Sequence, residues 1–258
     1  MRGIIRFTCE GASLFATLDA AAGATGLVIV SGGDEVRAGA HRGMALLAQR
    51  MAAVGVPVWR FDRRGIGDSE GENRGYASAA ADIAAAIAAF RRAQPQLARV
   101  VAFGNCDAAT ALALLGDDAD AVVLANPWLG DDAAALPPAA LRAHYARRLS
   151  RPSGWLALAR GGLRSRLKAL AATVGEPREQ PLASRFAAAL GKRPTTIVLA
   201  RGDRTAQVFA AAIRLPHGIP VERIDTASHS FAGHLDDLER ILLAAVGRQD
   251  GTPVTCGA

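Results

Sequence analysis

Gly104-Asn105-Cys106-Asp107-Ala108 sets a cysteine between two small residues, where the apolar run Arg99 to Phe103 meets the Ala/Leu-rich stretch Cys106 to Leu115. Only Gly104 and Asn105 separate the two runs, so the spacing predicts a strand turning abruptly into a helix with the sulfur at the bend. In such a turn the residues two before and two after the nucleophile must be small, because a larger Cβ would collide with neighbouring backbone. A helix N-terminus suits the chemistry as well, since its unpaired N–H groups and its dipole favour a thiolate and then an oxyanion. The same five residues could also hold a buried core cysteine ahead of an ordinary helix. The partners must decide.

Chain order supplies them. A nucleophile, then an acid, then a histidine, each after a successive strand, is the arrangement by which one large class of triad enzymes is recognised. After the apolar run Thr196 to Ala200 comes Arg201-Gly202-Asp203, which places a carboxylate just beyond a strand end. After Val221 to Ile224 comes Thr226-Ala227-Ser228-His229, which places an imidazole in the last loop before a closing helix. We read Cys106 as nucleophile, His229 as base and Asp203 as the group that orients it, with Asp225 as the second choice of acid. His144, His217 and His234 read as solvent-exposed. The oxyanion would rest on the backbone N–H groups of Asp107 and Gly33, the latter in Ser31-Gly32-Gly33-Asp34, with Asp34 as the next choice. This chemistry needs no metal and no cofactor.

Placing these groups requires strands that alternate with helices around a mostly parallel sheet, and the sequence has that rhythm. Ile4 to Cys9 and Ser13 to Leu18 predict an antiparallel hairpin at the sheet edge. Leu27 to Val30 and Val56 to Phe61 read as buried strands, and His41 to Val54 and Tyr76 to Ala93 as helices. Strands follow at Arg99 to Phe103, Ala121 to Ala125, Thr195 to Ala200 and Val221 to Ile224, and a helix closes the fold at Ala232 to Val246. The expectation is one α/β domain over residues 1–258, with a sheet of about eight strands and helices on both faces. A helical cap insert occupies approximately 128–192 and a loose tail 247–258. The glycine-rich loop Asp62 to Ser69 reads as structural, with its charges paired locally.

The composition narrows the functional class. Half of the 258 residues are apolar and 21% are charged, which excludes a disordered chain. No apolar run is long enough to span a bilayer and the N-terminus lacks a secretory pattern, so a cytoplasmic location is expected. Cys9, Cys106 and Cys256 are odd in number and far apart, which suits neither a disulfide framework nor a zinc site. The net charge of +6 is concentrated: Leu141 to Arg193 holds twelve Lys or Arg against Glu176 and Glu179, and the remainder of the chain is negative. Such an insert could steer an anionic acyl substrate, free or carrier-bound, although amphipathic helices expose Arg and Lys in any case. No aromatic-interleaved basic motif points to nucleic acid.

Ser31-Gly32-Gly33, the stretch Arg37 to Arg42, Arg60-Phe61-Asp62-Arg63-Arg64-Gly65-Ile66-Gly67-Asp68-Ser69-Glu70-Gly71 and the cysteine elbow together carry a resemblance. So do Asn126-Pro127-Trp128 and His144-Tyr145-Ala146-Arg147-Arg148-Leu149 in the insert. Over nearly its whole length the chain resembles the α/β-hydrolases called exosortase A system-associated hydrolase 1, found in bacterial exopolysaccharide and protein-sorting loci. That resemblance implies an α/β-hydrolase fold with a helical cap. Ala108 and Ala109 depart from the more Gly-rich elbow of the group. With the triad, it leads to an expected hydrolase that cleaves an ester or thioester through an acyl-enzyme. An acyltransferase with the same triad, or a binding protein that retains the fold without catalysis, are the alternatives.

Overall fold

The computed structural model describes residues 1–130 and 181–247. The described strands are β1 (Arg2–Cys9), β2 (Ala12–Asp19), β3 (Thr25–Val30), β4 (Val58–Phe61), β5 (Arg99–Asn105), β6 (Ala121–Ala125), β7 (Thr195–Ala200) and β8 (Val221–Ile224). They form one eight-stranded sheet in the order β1-β2-β4-β3-β5-β6-β7-β8. β1 and β2 make the expected antiparallel hairpin, with Glu10 and Gly11 turning at positive φ, and β2 also runs antiparallel to β4. Every other pairing is parallel.

Burial on both faces explains why the central strands read as unbroken apolar runs. Successive side chains enter opposite cores: Val28, Val30, Val100 and Ala102 join one, and Leu27, Ile29, Val101 and Phe103 the other. The second core is closed by α1 (Gly43–Ala53) and α6 (Leu235–Gly247), through Leu47, Met51, Leu238 and Leu242. The first is closed by α2 (Ala79–Ala93), α3 (Asp107–Leu115), α4 (Pro181–Ala189) and α5 (Arg204–Ala212). Phe186 of α4 meets Phe209 of α5 edge-to-face at 5.4 Å, which fastens α4 to the first core.

Some boundaries differ from the sequence expectation. The helix expected from His41 begins instead as a 3-10 turn, Ala40–Arg42, in which His41 and Arg42 both take left-handed φ. A second 3-10 turn, Tyr76–Ser78, precedes α2. Both follow glycines at positive φ, Gly39 and Gly75, that supply no capping side chain, so the backbone tightens before the helix is established. α5 departs from the sequence expectation, because its buried apolar residues, Ala206, Val208 and Phe209, are too few to announce a helical period. Of the expected insert, residues 131–180 lie outside the described residues. So do 248–258 of the expected tail, with Cys256. Among the described residues no helix is long and apolar enough to cross a membrane.

The strand order reverses around β3, which has β4 on one side and β5 on the other. The loops leaving the C-terminal ends of β3 and β5 therefore begin side by side, with Val30 in register with Gly104. Ligands of open parallel sheets bind at such a reversal.

Candidate active site

The bend after β5 has the geometry its small residues imply. Cys106 has φ 61° and ψ −126° and forms the N-cap of α3. An L-residue there is strained, at a cost of about 1–3 kcal/mol. Its backbone is pinned on both sides, N–H to the Ala125 carbonyl at 3.0 Å and carbonyl to the Trp128 N–H at 3.2 Å. A Cβ on Gly104 would lie 2.8 Å from the carbonyl carbon of Ala108, so the helix could not start so close behind the strand. A Cβ on Gly32 would lie 2.6 Å from the Asn105 carbonyl oxygen and 3.4 Å from the Cys106 Cβ. Glycine at 32 therefore lets the β3 loop close onto the nucleophile.

His229 and Asp203 come together as the chain order requires. Asp203 is buried and divides its carboxylate: one oxygen caps α5 by accepting from the Ala206 N–H at 3.0 Å, and the other meets His229 Nδ1 at 3.0 Å. The loops are packed directly, since Gly202 donates to the Thr226 carbonyl at 2.8 Å and a Cβ on it would meet Ala227 Cα at 2.8 Å. Asp225, the second choice of acid, is exposed instead. His234 precedes α6 rather than lying within it and pairs with Asp237 at 3.3 Å. His217 lies in an exposed turn, and His144 is outside the described residues.

These contacts set the protonation of the imidazole. The hydrogen bond to Asp203, and after it one with Cys106, raise the His229 pKa from 6.5 to about 10, against the opposing effect of partial burial. Burial works to raise Asp203, but the bonds from His229 and the Ala206 N–H outweigh it and hold the carboxyl below its ordinary value. His229 is thus an imidazolium at neutral pH. Because its folded pKa lies above the unfolded one, the stability it contributes is fully present below pH 6.5 and is lost as pH rises through about 10. Imidazole resonances followed by NMR are expected to show His229 titrating near pH 10; a midpoint near 6.5 would contradict the pairing.

Two asparagines, whose roles were not evident from the sequence, lock this assembly. Asn126, fully buried and at φ 40°, accepts from the Ala200 N–H at 2.9 Å and donates to Asn105 Oδ1 and the His229 carbonyl, each at 3.2 Å. Asn105 donates to the same His229 carbonyl at 3.0 Å. Hence the histidine loop is held by the residue preceding the nucleophile.

The other surprise is the loop Asp62 to Ser69. Among the described residues, each of its ion pairs reaches a residue outside the loop. Asp62 binds Arg37, Arg64 binds Glu10 and Asp82, and Arg63 reaches the elbow. Arg63 Nη2 donates to the Gly33 carbonyl at 2.8 Å and to Asp107 Oδ2 at 3.2 Å, while the Gly33 N–H donates to Asp107 Oδ1 at 2.6 Å. Asp34 instead accepts from Asn73 at 2.8 Å. The Asp107 N–H, at the first position of α3, has no intrahelical acceptor.

The sequence model described as the alpha/beta hydrolase family matches residues 27–244, from the first parallel strand into the closing helix. The chain belongs to that family. A comparison with curated proteins finds no match. Among solved structures, this hydrolase is similar to the α/β hydrolase GrgF from Penicillium sp. sh18, at 16% identity and a TM-score of 0.66, covering 95% of this chain and 98% of that one. It is also similar to the Pyrococcus furiosus esterase Pf2001, at 14% identity and a TM-score of 0.62, over 94% and 90% of the two chains. A hydrolase from Pseudomonas aeruginosa PA01 matches at 22% identity with a TM-score of 0.55, over 96% and 98%. At these identities the likenesses establish the fold.

Proposed function

We propose that this hydrolase cleaves an ester or thioester through a covalent acyl-enzyme on Cys106, with His229 as proton carrier and Asp203 as its orienter. The observation that carries the reading is His229, paired with buried Asp203 at 3.0 Å and tied through Asn105 to the strained strand-to-helix turn that presents Cys106. His229 already carries the proton drawn from the Cys106 thiol, and the sulfur attacks the acyl carbon. The oxyanion forms against the N–H groups of Asp107 and Gly33, and the leaving group departs with the proton from His229. The imidazole, now neutral, takes a proton from water. The hydroxide attacks the acyl carbon, and the carboxylic acid leaves Cys106 with its thiol restored.

A sulfur nucleophile exchanges readily with a thioester, and thiolate leaves better than alkoxide, so thioesters and activated esters are favoured over amides. An esterase among the similar folds accords with this class. The motifs from Ser31 to Gly33, Arg37 to Arg42 and Arg60 to Gly71 support a place in the exosortase A system-associated hydrolase 1 group. Intact-protein mass spectrometry after exposure to a panel of acyl thioesters is the test. An acyl-mass adduct mapping to Cys106 and discharging in water is expected; an adduct that discharges only when an acceptor is added would make the protein an acyltransferase. No adduct with any acyl donor would reject the nucleophile.

A further inference from the structure

Arg63 is 3% exposed, and its Nη1 is buried with no hydrogen-bond partner, although its neighbour Nη2 holds both Asp107 and the Gly33 carbonyl. A buried guanidinium nitrogen without an acceptor carries an uncompensated desolvation cost, and natural structures leave few such groups. Beside it the Asp107 carboxylate is divided, one oxygen on Nη2 and the other on the Gly33 N–H. That N–H is the donor the acyl oxygen needs, and an anion already sits on it.

One movement resolves both features. If the Asp107 carboxylate swings from the Gly33 N–H onto Nη1, it pairs with Arg63 through two parallel hydrogen bonds, the arrangement that guanidinium and carboxylate favour. The same swing vacates the Gly33 N–H. We propose that Arg63 is a positioning residue that draws Asp107 off the Gly33 amide when an acyl oxygen binds, so that the oxyanion hole is completed only with substrate present. This rests on the acyl-transfer reading of the site above. Lysine could not replace Arg63 in full, because an ammonium is a point charge without the planar fork.

The test compares two reactions of the same sulfur. Alkylation by iodoacetamide displaces iodide and forms no oxyanion, whereas acylation by a thioester does. Arg63→Met is expected to slow acylation of Cys106 by about 10²-fold or more, the scale of losing one oxyanion donor, with alkylation unchanged. Arg63→Lys, which keeps the charge and guards against a folding defect, is expected to show a smaller loss of the same kind, in kcat rather than KM. The deciding variant is Arg63→Met combined with Asp107→Ala, which removes the obstructing carboxylate as well. Its acylation is expected to recover to within about tenfold of the parent protein. Alkylation and acylation falling together, or a double variant no faster than Arg63→Met, would overturn the role of Arg63 while leaving the triad intact. A parent protein that is alkylated at Cys106 but acylated by nothing would overturn the acyl-transfer reading and this role with it.

Discussion

Cys106→Ala is expected to abolish acyl capture and to lower turnover by at least about 10⁴-fold, because no other nucleophile occupies the elbow. The methyl group fits wherever the thiol does, so the strained φ of 61° and the helix behind it persist and the loss reports chemistry rather than unfolding. Cys9 cannot substitute. It is buried, and burial together with its contact to Asp82 at 3.4 Å pushes its pKa up to about 11, leaving it protonated at neutral pH. Hydrolysis measured on whichever thioester gives an adduct is the check, and a variant that retained full turnover would end the case for Cys106.

Asp203→Asn is expected to lower kcat by about 10⁴-fold while α5 stays capped, the only stability lost being that of the His229 pairing, for reasons visible in how the carboxylate is shared. Asparagine is as good an N-cap as aspartate, so its oxygen can keep the Ala206 N–H and α5 stays capped. That leaves the amide –NH₂ facing His229 Nδ1, which must then act as acceptor and move the ring proton to the nitrogen needed for Cys106. Steady-state kinetics beside thermal melts separate the two effects. A melting temperature within a few degrees of the parent, with activity near that of the parent, would show that Asp203 serves only as a cap.

What the sequence disclosed, and what it withheld, divides along a physical line. Cys106, Asp203 and His229 were legible because each follows a strand whose apolar run stands out, and the order of strand ends dictates which loops share a rim. The hairpin of β1 and β2 was legible from Glu10-Gly11 between two extended runs. Arg63 and Asn126 were not. Each is a polar residue within two positions of a glycine or proline, the usual signature of a solvated loop, and each owes its burial to partners remote in the chain: Asp107 for Arg63, and Ala200 and His229 for Asn126. Local spacing carries no trace of such pairings. Nor could spacing reveal that Asp107, whose N–H was expected to serve the oxyanion, would lay its own carboxylate on the Gly33 amide.

The Asn126 amide spans the ends of three neighbouring segments, taking the Ala200 N–H on one side and giving to Asn105 and the His229 carbonyl on the other. A knot tied across the ends of the sheet's inner strands cannot loosen while those strands remain zipped. Heat or denaturant should therefore extinguish activity and global structure in a single cooperative transition, rather than first melting a fragile catalytic rim from a sturdier frame.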